Sequence, residues 1–376
     1  MTAADSKRLT SLDFLRGIAS FGVCWFHLCY FTYPTADDNF YHLLRLTGKY
    51  GWLGVQVFFV ISGFVIPYSL YNSGYRLKHF PTFMLKRVVR LDPPYVVTIL
   101  LTIFLGLAYT ILTGHRFEVE GAPVSTVRVL LHFAYLNVFF GYVWLNPVFW
   151  TLAIEFQYYI LAGLTFPLLV SLKLRTRIIS LVVLSAVCLA GRYKVSHGVR
   201  FDAFIFHFLF LFQMGIATFQ YVVGIIRKKE FLIVLSAAIL GCLVTLGFAQ
   251  TMAGVFAVTC ALLYRRRNFV SDFLGRISYS LYLLHWPVGH VFLSVVGAKL
   301  LHAQTGLARL AVLLMATAVT LASSALLYFT VERPSQAWSS RIRYRVDRRL
   351  MDQIIPETAG EGVVAEPVAA VTGSAP

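Results

Sequence analysis

SLDFLRGIASFGVCWFHLCYFTY, residues 11–33, is an apolar run long enough to cross a bilayer, yet it carries Arg16 near its start and His27 well inside. A hydrocarbon core of about 30 Å takes about 20 apolar residues in helical form. An ionisable side chain at that depth costs about 3 kcal/mol or more and is by default a functional residue. On the helical rise, Arg16 and His27 lie roughly 16 Å apart along one axis.

Working outward, the chain of 376 residues is 58% hydrophobic and only 13% charged. Soluble domains carry about 25% charged residues, so the class is a polytopic, all-α membrane bundle. Apolar runs predict about ten spans, near 12–33, 51–71, 93–112, 148–171, 178–191, 202–223, 231–249, 251–264, 273–297 and 308–330. A further apolar stretch, 128–142, is expected to pack as a short helix outside the bilayer. With the N-terminus inside, 23 Lys and Arg fall in inner segments and 9 in outer ones, which predicts that both termini are cytoplasmic. The same distribution explains the net charge of +16, and no nucleic-acid motif accompanies it. The five cysteines all lie within apolar runs, without a CxxC pair or metal spacing, and read as small buried hydrophobes. No small-residue cleavage site follows a short apolar core, so the first span is expected to stay as an anchor. Residues 1–350 form the expected membrane domain, and 351–376 an expected disordered tail.

Two further ionisable groups sit deep in spans: Glu155 in FWTLAIEFQYY and His285 in SYSLYLLHWPV. Depths counted from the span ends put His27 roughly 16 Å, Glu155 roughly 18 Å and His285 roughly 13 Å from the inner face, one layer near mid-membrane. Two imidazoles and a carboxylate suit general base catalysis on a hydroxyl. His27 is the candidate base, with Glu155 orienting a histidine or binding the acceptor hydroxyl, and His285 able to do either. Each has a structural alternative. His27 could bond a neighbouring helix, Glu155 could carry a proton or merely pack, and His285 could satisfy a carbonyl exposed by Pro287.

A second constellation is FMLKRVVRLDPPY, residues 83–95, where Arg87 and Arg90 share a helix face. Planar guanidinium forks suit phosphate, although basic residues at an inner membrane surface also anchor on anionic lipid. Asp13 lies one turn before Arg16 and can neutralise it. Ser62-Gly63 in FFVISGFVIPY reads as a small-residue patch for close helix packing, and Trp52, Trp144 and Trp150 as interfacial anchors. No metal site is expected.

Taken together, LDFLRGIA followed by His27, GVQVFFVISGFVI, FMLKRVVRLDPPY, FWTLAIEFQYY, and GRISYSLYLLHWPV with YFTVERP resemble the acyltransferase-3 family of integral-membrane O-acyltransferases, over residues 9 to 334. The resemblance implies a ten-span bundle in a bacterial inner membrane that takes an acyl group, most commonly acetyl, from cytoplasmic acyl-CoA. The implied acceptors are hydroxyls of exported glycans or glycolipids, with polysaccharide-assembly proteins as partners. It makes His27 and Arg16 essential and moves Arg87 and Arg90 from lipid anchors toward CoA contacts. The Arg16–His27 spacing is close to the reach of an extended pantetheine arm. The rival class is a proton-coupled exporter using His27, Glu155 and His285 as a relay, against which stands the lack of an internal repeat.

Overall fold

The computed structural model describes residues 3–30, 39–114, 118–119, 122–171, 182–183, 185–187, 190, 204–300 and 305–344. The expected fifth span at 178–191 and the tail at 351–376 therefore lie largely or wholly outside the described residues. Helices account for nearly all of the rest, and a hairpin of two short strands (Glu118–Val119 with Ala122–Pro123) interrupts them. In chain order they are α1 (Ala3–Tyr30), α2 (Asn39–Gly48), α3 (Gly54–Asn72), α4 (Phe80–Thr113), α5 (Thr126–His132) and α6 (Phe149–Leu169), followed by α7 (Leu209–Val222), α8 (Lys228–Thr245) and α9 (Phe248–Leu263). The chain then runs through α10 (Phe269–Leu284), two wide π-helical stretches (His285–His290 and Leu293–Leu300), α11 (Gly306–Leu327), a third π turn (Tyr328–Glu332) and α12 (Arg333–Arg341).

Among the described residues, six helical segments are long and apolar enough to cross a membrane: Ser11–Tyr30, His42–Asn72, Leu77–Ile111, Phe149–Leu169, Ile205–Val222 and Gly306–Arg341. The third is far longer than the expected 93–112, because α4 starts at Phe80 and runs 34 residues through Pro93-Pro94. Pro93 and Pro94 lie inside that helix and leave the Val89 and Arg90 carbonyls without their usual i+4 donors. The helix stops where Gly114 takes φ +69°, a left-handed conformation that glycine adopts without strain. Of the expected shorter spans, 251–264 corresponds to the 16-residue α9 and 273–297 to α10 with its π-helical continuation.

The bundle centres on α1, which packs most extensively against α10 and also meets α3. A Cβ on Gly275 would collide with the Asp13 backbone, and one on Gly17 would lie 3.0 Å from Gly275 N. The α1 and α10 backbones therefore touch at Gly17 and Gly275, as small residues allow in helix pairs within lipid. Gly63 and Gly215 allow the same approach between α3 and α7. The short helix expected within 128–142 is present as α5 with a 3-10 turn at Asn137–Phe140. Arg128, counted among the outer loop charges, is 1% exposed, and its guanidinium donates to the carbonyls of Pro123, Val143 and Trp144. Trp144 is buried as well, edge-on to His132, rather than placed as an interfacial anchor. Cys24, Cys29 and Cys242 are free and buried, and Cys260 is free and half-buried.

Candidate functional site

A cavity of about 240 Å³ opens between α1, α3, α4, α6 and α10. Arg16, Arg87, Arg90 and Arg276 line it, together with the carboxylates of Asp13, Glu155 and Glu332. The helical spacing of Arg87 and Arg90 turns both toward the same space, opposite Arg16 of α1. Arg16 makes an ion pair of 3.8 Å with Asp13, one turn earlier on the same helix. The Arg87 guanidinium lies 5.6 Å above the Tyr159 ring and 5.2 Å above Phe83, and its buried Nε has no hydrogen-bond partner. An orphaned charged donor costs on the order of 1–3 kcal/mol, which an anionic ligand in the cavity would recover. Four guanidinium groups against three carboxylates leave a positive space, suited to phosphate oxygens.

The carboxylates are held in place by hydroxyl donors. Ser62 Oγ donates to Glu155 Oε1 at 2.9 Å, from α3 to α6. Glu332, 3% exposed, accepts from Ser280 N at 3.1 Å, Ser280 Oγ at 2.6 Å and Gln336 Nε2 at 2.9 Å.

The two histidines meet beside this cavity. His27 Nδ1 lies 2.9 Å from the Val23 carbonyl and 3.2 Å from His285 Nε2. His285 Nδ1 lies 3.1 Å from the Leu281 carbonyl. A carbonyl oxygen only accepts, so both Nδ1 atoms carry the proton. His27 then shares its Nδ1–H between Val23 O and His285 Nε2, and its own lone pair sits on Nε2. The edge of Trp286 packs against the His27 ring, with centroids 5.5 Å apart. Tyr282 separates the pair from the cavity: it lines the cavity, lies 5.7 Å ring to ring from His285, and shares a 2.6 Å hydrogen bond with Thr151 Oγ1.

His285 begins the π-helical turn at the end of α10. Pro287 has no N–H to offer the Leu283 carbonyl, and Asn146 Nδ2 donates to that oxygen at 3.0 Å. The sequence suggested His285 itself as the donor for a carbonyl freed by Pro287; its recorded partners are Leu281 and His27 instead.

The six residues singled out in the sequence thus fall into two adjoining groups. Arg16, Arg87, Arg90 and Glu155 share the cavity, and His27 pairs with His285. The expected layer of His27, Glu155 and His285 concerned depth alone; in the structure Glu155 bonds Ser62 on the arginine side, while the histidines bond each other. Ser62, read as a packing residue, is part of the site, while its neighbour Gly63 does pack against Phe212. Glu332, Asn146 and the cavity tyrosines were missed. Glu332 lies two residues beyond the expected span 308–330, within YFTVERP, and Asn146 lies just before the expected span 148–171, so neither stood out as a polar group inside an apolar run. His132 is a structural histidine: Leu145 N donates to its Nε2 at 2.9 Å, and its Nδ1 lies 2.6 Å from the Arg128 carbonyl. No cluster of three metal-ligating side chains occurs among the described residues.

Comparison with curated proteins gives no match, and comparison with solved structures gives none. A family model described as an acyltransferase domain matches residues 9–329, a range that takes in α1 with the Arg16–His27 segment, the arginine pair, Glu155 and His285. On that match over most of its length, the chain belongs to the acyltransferase-3 family.

Proposed function

We propose that this protein is an O-acyltransferase of a bacterial inner membrane, with about ten spans and both termini in the cytoplasm, which moves an acyl group (acetyl in the simplest case) from acyl-CoA to a hydroxyl of an exported glycan or glycolipid. The observation that carries the reading is the adjacency of an arginine-lined cavity to a paired histidine, with Tyr282 lining the cavity and packing against His285. Arg16, Arg87 and Arg90 bind the donor's phosphates through the guanidinium groups that line the cavity. Glu155, fixed by Ser62, accepts a hydrogen bond from a substrate hydroxyl.

His27 is the general base. Its Nε2 lone pair takes the proton of the acceptor hydroxyl as that oxygen attacks the thioester carbon. The carbon–sulfur bond breaks, and the proton held on His27 passes to the leaving thiolate, giving the ester and free CoA. His285 accepts from His27 Nδ1–H, which holds the imidazole in the reactive tautomer and steadies the cation formed in transit.

The test is transfer of labelled acetyl-CoA by inside-out membrane vesicles containing the wild type or His27→Ala, with CoA release and label on extracted glycan both followed. Transfer by the wild type and its loss in the variant, at equal protein level, is the expected result. A wild type that releases no CoA with a competent glycan present overturns the reading in favour of transport.

A further inference from the structure

Asn146 lies three residues before the start of α6, is fully buried, and uses both ends of its amide. Its Oδ1 accepts from Val148 N at 3.2 Å, a local turn that opens α6. Its Nδ2 reaches across to the Leu283 carbonyl at 3.0 Å, on the last turn of α10. The first bond is the ordinary work of an asparagine before a proline. The second joins two elements 137 positions apart and is made to the one carbonyl that Pro287 deprives of its usual donor.

That carbonyl belongs to the residue two before His285, at the point where the α-helix gives way to the π turn. A buried carbonyl without a donor costs on the order of 1–3 kcal/mol, and a helix relieves that cost by shifting its backbone. Such a shift would carry the His285 ring with it, and the 3.2 Å contact with His27 would be lost first. On the same side, Tyr282 donates its hydroxyl to Val148 O at 3.3 Å, so the start of α6 grips α10 at two adjacent residues.

We infer that Asn146 is a positioning residue for the transfer reaction, and that its amide fixes the depth and rotation of His285 so that Nε2 faces His27. The inference rests on the reading of the histidine pair given under Proposed function. Asn146 bonds neither histidine and acts on His285 through the Leu283 carbonyl.

The experiment pairs Asn146→Ala with Pro287→Ala. Alanine at 287 restores a backbone N–H that can reach the Leu283 carbonyl, so it supplies the donor that Asn146→Ala removes. Two readouts are taken on full-length protein in lipid bilayers. The first is the ¹⁵N spectrum of histidine-labelled protein, with His285 assigned by difference against His285→Phe. The second is acetyl transfer, resolved into kcat and donor KM. Asn146→Ala is expected to change the His285 resonances and lower kcat on the order of ten- to a hundredfold, with donor KM held within about twofold. Pro287→Ala in that background is expected to return both toward wild type. Unchanged His285 resonances in Asn146→Ala overturn the proposal, as does a loss confined to KM or one that Pro287→Ala leaves uncorrected. The spectrum requires no turnover, so it judges the placement of His285 even where the acyl-transfer reading fails.

Discussion

His285 Nε2 stands 3.2 Å from His27 Nδ1, although 258 positions separate the two residues. The first imidazole can only accept at that nitrogen, since its own proton is committed to the Leu281 carbonyl. Replacing His285 by glutamine leaves a side-chain oxygen able to accept, and replacing it by leucine does not. Transfer rates are expected to fall in the order wild type, His285→Gln, His285→Leu, His27→Ala. The last should lose on the order of a hundredfold or more, as for removal of a general base. Donor KM measured for all four should stay nearly constant; a rise confined to KM would place the pair in binding instead.

Arg87 offers a different signature. Its guanidinium stacks over Tyr159 and keeps a buried Nε without a partner. Lysine retains the charge but loses the planar fork, so Arg87→Lys is not conservative at such a position. Donor KM is expected to rise about tenfold or more, while kcat at saturation changes little, which corresponds to a loss of about 1.4 kcal/mol of binding. Steady-state kinetics over a wide range of acetyl-CoA decides it.

The Gly275 contact predicts an effect on stability. A valine there cannot fit against the Asp13 backbone without parting α1 from α10. Overpacking of this kind costs about 1–3 kcal/mol. Thermal unfolding in detergent should show a lower Tm for Gly275→Val and a near wild-type Tm for Gly22→Ala, whose added Cβ would meet its nearest neighbour, Gly51 O, at an ordinary 3.5 Å. A Tm drop as large at Gly22 would count against the helix crossing as the cause.

Acid should loosen the segment between α4 and α6. Burial pushes His132 down to about 4, from an ordinary value of 6.5. A histidine whose folded value is depressed favours the neutral form, so its stabilisation is complete above 6.5 and is lost as pH falls toward 4. The difference amounts to roughly 3 kcal/mol. Limited proteolysis at residues 122–148 should therefore accelerate between pH 6.5 and 4, and a rate that stays flat across that range would contradict it.

What could be read from the sequence divides along physical lines. Ionisable groups in apolar runs stand out because their solvation cost is high wherever they finally point, and that argument found His27, Glu155, His285 and Arg16. Helical spacing placed Arg87 beside Arg90 for the same reason of local geometry. Which groups would touch was beyond such reasoning. A count of depth along each helix sets height but not azimuth, so Glu155 was placed at the level of the histidines although it faces Ser62 and the arginines. Asn146 and Ser62 are small, neutral and common, and only the carbonyl left by Pro287 or the carboxylate of Glu155 gives them meaning. Arg128 entered the charge count as a loop cation, and a loop position says nothing about burial: its guanidinium is spent on three carbonyls.

The crossing of α1 and α10 acts as a ruler. From Gly17 to His27 is ten residues, and from Gly275 to His285 is also ten, so the helices run the same way with arms of equal length, about 15 Å each. Equal arms from a shared pivot bring two side chains to the same height without any contact between the arms having to set it. The crossing at Gly17 and Gly275 thus sets a common baseline for the two histidines at the far end of the helices, and Asn146 holds the near end of α10. An insertion of one residue in either arm would swing its histidine by about 100° and leave the other imidazole facing a void.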